Sequence, residues 1–383
     1  MRNNELVYIM RQSIFFITFV IICKGLFAQP LDAGSYTWWR PAENSFPVVG
    51  GQAWPSEVKN TYDRLPARAE KNVRPPVWGL SQDAAGLTIT FQTDAPEILI
   101  RYKVQHEHAF PHMPATGVSG LDLYAVSSKG AWQWCGGKYS FGDTITYRYK
   151  GLEPNESAQM KGREYRLYLP LYNAVSWLEI GVPVGNQFKP QSLIKDKPIV
   201  IYGSSIVQGG CASRPGMAWT AILGRKLNLP VINLGFSGNG LLEKEIIDLM
   251  AEIDAQVYLL DCLPNLVSDD FSDDEVKNRV LAAVKKLRQE KNTIPILLIE
   301  HDGYSDAGIN AARAKSISRI NHIQQEAFKQ LLKEGVTGLT LLSMAEIGQD
   351  PDGTVDGTHP TDLGMLVYAR AVDKKLRHIL KLK

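Results

Sequence analysis

The chain has 383 residues, 44% of them apolar and 21% charged, with 42 Lys and Arg against 40 Asp and Glu. That length accommodates two or three domains, and the composition excludes a disordered or collagen-like chain. A formal charge of +2 gives no electrostatic footprint for nucleic acid.

Residues 14–23 (IFFITFVIIC) form an apolar run behind Arg2 and Arg11, and Leu26-Phe27-Ala28 before Gln29 suits a cleavage point. A bilayer span needs about 20 apolar residues. The run is shorter, so residues 1–28 read as an export signal and not as an anchor. Met10 is an alternative start that tightens this signal, and the bulky Ile22 before Cys23 argues against lipoprotein processing. No later segment reads as a span. The mature chain is therefore expected to be periplasmic or extracellular, without stable membrane insertion.

From residue 29 to 192 the grammar is that of short strands. LTITFQ (87–92), EILIRYKV (97–104), LDLYAV (121–126), TITYRY (144–149), YRLYL (165–169) and SWLEIGV (176–182) are rich in β-branched and aromatic residues, and Gly, Pro, Asp and Asn separate them. This predicts an antiparallel β-sandwich. Trp38, Trp39, Trp54, Trp78, Trp132, Trp134 and Trp177 all fall here, and only Trp219 follows. Exposed rings would suit stacking on sugars, whereas buried ones would fill a core or a seam.

From residue 193 to 383 strands and helices alternate. Strands are predicted at 199–203, 230–236, 256–261, 294–299 and 336–342, and helices at 217–229, 242–253, 273–290, 311–334 and 361–380. Ser272 can cap the third of these helices, ahead of Asp273, Asp274 and Glu275. Ile317, Ile320, Phe328 and Leu331 give the fourth a core-facing stripe. Such alternation implies a five-stranded parallel sheet covered on both faces, with its ligand beyond the carboxyl ends of the strands. Cys211 and Cys262 both follow strands at that end. They either pair or remain buried thiols, and three cysteines in the mature chain are too few for a disulfide scaffold.

The residues that follow the strands carry the functional signal. Gly203-Ser204-Ser205 follows the first, Asn233-Leu234-Gly235-Phe236-Ser237-Gly238 the second, Asp261-Cys262-Leu263-Pro264-Asn265 the third, and Asp356-Gly357-Thr358-His359 the fifth. Each alone is an ordinary turn or surface loop. Together, each after its own strand, they bring a hydroxyl, backbone N–H groups, an amide and Asp-x-x-His to one rim.

These segments resemble the blocks of the SGNH (GDSL-like) hydrolases, over about half the chain. The resemblance implies a three-layer, flavodoxin-like α/β domain with Ser205 as nucleophile, although Ser204 replaces the usual aspartate before it. Asp356 and His359 match the Asp-x-x-His block. Gly238 matches the block-two glycine, and Asn265 the block-three asparagine within an atypical Leu-Pro-Asn-Leu. Upstream, Gly120-Leu121-Asp122-Leu123-Tyr124 resembles the GxDLY motif of a sandwich domain fused to such hydrolases; Asp122 and Tyr124 are read as structural.

In the implied mechanism His359 takes the proton of Ser205 and Asp356 holds the other ring nitrogen. The N–H groups of Ser205 and Gly238 and the amide of Asn265 surround the oxyanion. No metal or organic cofactor is expected. His301, after the fourth strand, is a weaker rival base because it lacks the Asp-x-x-His spacing. Glu300 and His301 are tentative substrate contacts, with a structural role at the strand end as the alternative. His106-x-His108-x-x-x-His112 has no acidic or thiol ligand to complete a zinc set and reads as a loop. The expected partner is a small-molecule or oligosaccharide ester, not nucleic acid, and the sequence says nothing of the oligomeric state. The leading reading is a serine esterase acting on O-acyl, foremost O-acetyl, groups of carbohydrates. An acyltransferase with the same triad and a glycan-binding protein with an inactive hydrolase domain remain as alternatives.

Overall fold

A computed structural model describes residues 33–153 and 162–382. The expected export signal lies outside the described residues. Contacts group Thr37–Lys383 as one unit.

The first half contains β1 (Tyr36–Trp39), β2 (Val49–Gly50), β3 (Thr88–Thr93), β4 (Glu97–Val104), β5 (Asp122–Val126), β6 (Trp132–Cys135), β7 (Lys138–Ser140), β8 (Ile145–Lys150), β9 (Arg163–Tyr168), β10 (Val175–Pro183) and β11 (Phe188–Pro190). One antiparallel sheet runs β10-β4-β8-β7, and the facing one runs β11-β3-β9-β5-β6. Side chains alternate across each strand. Thus Ile89 and Phe91 of β3, Ile98 and Ile100 of β4, Leu167 of β9 and Ile180 of β10 meet in one core. The edge strands β6 and β7, one in each sheet, were not evident in the sequence, since WQWC and KYS are largely exposed and carry no apolar alternation.

The second half contains β12 (Ile199–Gly203), β13 (Val231–Gly235), β14 (Val257–Asp261), β15 (Ile296–Ile299) and β16 (Leu339–Leu342), all parallel, in the order β13-β12-β14-β15-β16. This is the expected flavodoxin-like three-layer arrangement. Val200, Tyr202, Tyr258 and Leu260 pack on one side with the helices Lys244–Glu252, Asp273–Glu290 and Ala311–Lys333. Ile199, Ile201, Val257 and Leu259 pack on the other with Trp219–Leu227 and Asp362–Leu380. A sheet buried on both faces accounts for strands that are apolar at nearly every position. The Ser272 cap is present, its side chain accepting from the Glu275 N–H at 3.2 Å.

Residues 54–78 depart from the sequence reading. Trp54, Leu65, Val77 and Trp78 join the apolar layer over the parallel sheet instead of the sandwich core, and Trp54 Nε1 donates to Glu252 at 2.9 Å. The fully buried Arg64 fixes this segment. Its guanidinium donates to the carbonyls of Leu80, Asp83, Asn233 and Gly235 at 2.6–3.0 Å, which gives each nitrogen of a buried cation an acceptor. No alternation marks this segment, because its packing partner lies more than a hundred residues downstream.

The register decides where the site lies. Gly203 pairs with both Gly235 and Asp261. β12, β13 and β14 therefore end level, and the segments after them open onto one rim.

Candidate active site

Ser205 leaves β12 through a tight turn. A Cβ on Gly203 would stand 2.5 Å from the Asp261 carbonyl oxygen. The Ser204 N–H donates to that same carbonyl at 3.2 Å, and the Ser204 hydroxyl caps the short helix Ser205–Gln208 by accepting from Ile206 N–H at 3.3 Å. The family's usual aspartate at this position is thus replaced by a residue that serves the same capping need. Gly209, at φ 109°, ends the helix after one turn.

Ser205 Oγ lies 2.8 Å from His359 Nε2, and His359 Nδ1 lies 2.7 Å from Asp356 Oδ2. Asp356 Oδ1 accepts from the backbone N–H groups of His359 and Thr358 at 2.8 and 3.0 Å. Partial burial pushes the Asp356 carboxyl up, but the His359 N–H, the His359 ring and the Thr358 N–H together hold it below the usual carboxylate range. An ionised Asp356 requires Nδ1 to carry the proton. Nε2 is then the acceptor that faces the serine hydroxyl.

The other two expected donors lie in the segments after β13 and β14. Gly238 takes a left-handed φ of 67° in the turn after β13, a conformation that favours glycine, although a Cβ there would meet nothing within 4 Å. Asn265 Oδ1 accepts from Gly240 N–H at 3.0 Å, which turns its Nδ2 the other way. Among the described residues nothing engages the N–H groups of Ser205 and Gly238 or the Asn265 Nδ2.

Glu300 and His301 do not reach the rim. Glu300 is buried, with one carboxylate oxygen accepting from Gln325 Nε2 and the other from Met344 N–H, each at 2.7 Å. His301 is sealed from solvent. Its Nδ1 accepts from Gly303 N–H at 3.0 Å, and burial pushes its pKa down to about 4. Both side chains turn inward, Glu300 to the helix Ala311–Lys333 and the segment after β16 and His301 to its own loop, which corrects their reading as substrate contacts and removes His301 as a rival base. Cys211 and Cys262 are free, buried thiols. His106, His108 and His112 do not gather: among the described residues no three His, Cys, Asp or Glu side chains form a metal-binding group.

Several residues at the site had escaped sequence reading. Gln208 Oε1 accepts from Ser237 N–H at 2.9 Å, while its Nε2 donates to Asp83 Oδ2 at 2.9 Å and to the Leu171 carbonyl at 3.1 Å. Tyr172 Oη donates to the Ser205 carbonyl at 3.3 Å. The rings of His112 and His359 stand 6.2 Å apart, and Phe110 packs edge-on against Tyr172 at 5.7 Å. A wall of the site therefore comes from loops of the sandwich half, which carry no motif. Asp122 of the GxDLY segment accepts from Trp134 Nε1 at 2.5 Å, from Gly216 N–H at 2.9 Å and from Arg214, tying the sandwich to the stretch beyond the serine helix. A cavity of about 500 Å³ lined by Thr88, Thr90, Arg166 and Gln191 belongs to the opposite end of the sheet, beside the amino ends of β12 and β13, and Ser205 does not line it.

Two family models match the chain: the GDSL-like lipase/acylhydrolase family over residues 196–377, and the N-terminus of SGNH-hydrolase-type esterases (GxDLY) over residues 36–188. Among solved structures the chain is similar to one from Bacteroides ovatus ATCC 8483 described as a GDSL-like lipase. That likeness has 33% identity and a TM-score of 0.82, over 91% of this chain and 99% of that one. The fold is also shared with a salicylyl-acyltransferase of a tetracycline biosynthetic pathway, at 17% identity and a TM-score of 0.72 over 90% and 97% of the two chains. An acetyl xylan esterase from the rumen bacterium Butyrivibrio proteoclasticus shares it at 10% identity and 0.53, over 91% and 100%. No curated protein sequence matches.

Proposed function

The chain belongs to the GDSL-like lipase/acylhydrolase family, and from that premise we propose that it is an exported serine esterase that removes O-acyl groups, acetyl foremost, from carbohydrates. The mature protein divides near residue 192 into a sandwich domain and the hydrolase domain. His359 Nε2 takes the proton of Ser205 Oγ as that oxygen adds to the ester carbonyl. Asp356 stabilises the resulting imidazolium. The Ser205 and Gly238 N–H groups and the Asn265 amide receive the oxyanion, each contributing about 3 kcal/mol in the transition state. His359 returns the proton to the departing sugar hydroxyl as the acyl-enzyme forms. Water, deprotonated by the same imidazole, releases the carboxylic acid and restores the serine.

The observation that carries this reading is the unbroken relay from Asp356 Oδ2 through His359 to Ser205 Oγ, with spacings of 2.7 and 2.8 Å. A small acyl group suits the crowding beside the serine. A Cβ added at Gly210 would lie 2.9 Å from Tyr172 Oη and 3.3 Å from His359 Cδ2.

The test is a panel of p-nitrophenyl esters from acetyl to octanoyl and of acetylated oligosaccharides, assayed on wild type and Ser205→Ala. Rates that fall steeply with acyl length and vanish in the variant are expected. Rates that persist in Ser205→Ala overturn the nucleophile. Product analysis with an added alcohol separates hydrolysis from acyl transfer, and failure of a fluorophosphonate to label Ser205 would point to a binding protein with an inactive hydrolase domain.

A further inference from the structure

A run of aromatic rings leads away from the catalytic rim across the sandwich. From His359 it passes to His112 at 6.2 Å between ring centroids and on to Phe110 at 5.9 Å. His108 lies two residues earlier in the same loop and packs on Phe141 at 5.7 Å, which meets Tyr139 at 5.7 Å. His112 is exposed, Tyr139 is 53% exposed, and His108, Phe110 and Phe141 are half-buried. A second layer braces these rings from behind. Tyr172 supports Phe110 edge-on at 5.7 Å, and the buried Tyr147 lies under Tyr139 at 5.2 Å and Phe141 at 6.3 Å. Large rings held rigid at a surface present contact area at little entropic cost, and a contiguous set of them marks a binding site.

We propose that this track binds an extended chain of sugar residues, so that the enzyme acts on esters carried by oligo- and polysaccharides in preference to esters of single sugars. The proposal rests on the esterase reading for its catalytic end. Three features favour a glycan. Its inner rings, His112 and Phe110, adjoin His359 at the rim where the ester must sit, and the same loop carries His108 to the outer rings. Within each of the two clusters neighbouring rings stand 5.7–6.2 Å apart, close to the length of one sugar ring. Imidazole nitrogens and a phenol interrupt the apolar surface at intervals, which suits a ligand with apolar faces and hydroxylated edges and suits an acyl chain or a lipid surface poorly.

The experiment uses β-1,4-linked gluco-, xylo- and manno-oligosaccharides of two to six residues. They are chemically acetylated for kinetics, and left unmodified for calorimetric binding to the Ser205→Ala protein. Comparison is with Tyr139→Ala and Phe141→Ala, each also carried in the Ser205→Ala background for binding. In wild type, kcat/KM should rise about ten-fold from the dimer to the hexamer of the preferred series, mostly through KM. Each variant should lose about five-fold on the hexamer, the scale of one ring contact. The dimer and p-nitrophenyl acetate should stay within two-fold, which shows that the variants are folded and the triad intact. Rates and affinities independent of chain length overturn the track, as does a hexamer response unchanged in both variants. A gain on long-chain acyl esters that Tyr139→Ala abolishes overturns the glycan assignment in favour of lipid. If p-nitrophenyl acetate is not hydrolysed at all, the esterase reading fails, and the calorimetric series still decides the track.

Discussion

The two halves contribute to the rim in different ways. The parallel sheet delivers its share through short segments that start where a strand stops: Ser205 after β12, Gly238 after β13, Asn265 after β14 and His359 after β16. The sandwich delivers its share sideways, through the loops that carry Phe110, His112 and Tyr172, and through Asp122, which grips Arg214 and Gly216. A level sheet end lets a few loop residues meet with little else arranged. A sandwich edge must be clamped before its loops can serve. Chemistry is concentrated on one side of the seam and support is spread over the other.

Two substitutions should separate these roles. Ser205→Ala is expected to lower esterase activity by at least about 10³-fold, leaving what the oxyanion donors and binding alone provide. It should move the denaturant midpoint little, since it removes one hydroxyl from a backbone that stays capped. Asp122→Ala should do the reverse. It strands Arg214 and the Gly216 N–H at a buried contact, a loss of about 3 kcal/mol in urea unfolding, while the protein that remains folded in the cold keeps turnover within a few-fold. If Asp122→Ala abolished turnover in fully folded protein, the division between chemistry and support would be wrong.

The same division explains what the sequence made legible. The parallel sheet was readable because strands buried on both faces are apolar throughout and their helices carry caps and stripes, as at Ser272 and Ile320. The contact of Ser205, His359 and Asp356 was legible because these residues lie in short stretches that follow strand ends. Glu300 and His301 were misplaced by the same logic. Position after a strand fixes where the backbone goes, not whether the side chain turns outward, and here Gln325 and Met344 draw Glu300 inward while Gly303 engages His301. Arg64, Gln208 and Tyr172 left no trace in the sequence, because each works through a partner far along the chain. The track rings were hidden for another reason: KYS, the strand that carries Tyr139, has no apolar alternation to mark it.

Gln208 tests whether support reaches the oxyanion loop itself. Its side chain bonds the Ser237 N–H, next to Gly238, and also Asp83 from the upstream segment. Gln208→Met keeps the volume and deletes these bonds together with the one to the Leu171 carbonyl. The expected result is about a ten-fold fall in kcat with KM changed less, because a donor displaced from the oxyanion costs the transition state more than the ground state. An unchanged kcat would mean that the turn around Gly238 holds itself.

The smallest effect concerns the polar layer beneath the rim. Asp261 Oδ1, Asp302 Oδ1 and His301 Nε2 are buried without hydrogen-bond partners among the described residues, while Tyr368 donates to Asp261 Oδ2 at 2.7 Å. Burial pushes the Asp261 carboxyl up to about 8 and the Asp302 carboxyl up to about 7, and it pushes His301 down to about 4. The signs oppose. Each raised carboxyl makes the folded state bind more protons than the unfolded one from about pH 4 up to its folded value, so stability falls as pH rises through that window. The depressed His301 makes the unfolded state bind more protons between about pH 4 and 6.5, so it acts the other way there and drops out above. Between about pH 6.5 and 7.5 the carboxyls therefore dominate. Half a proton on Asp302, at about 1.4 kcal/mol per proton and pH unit, corresponds to about 0.7 kcal/mol across that interval. Asp302→Asn keeps the shape and an acceptor for Gln349. Urea unfolding of wild type should weaken over that unit of pH, and the variant should weaken by about that much less. Equal slopes for the two proteins would place the missing proton elsewhere and leave the layer beneath the rim electrostatically silent.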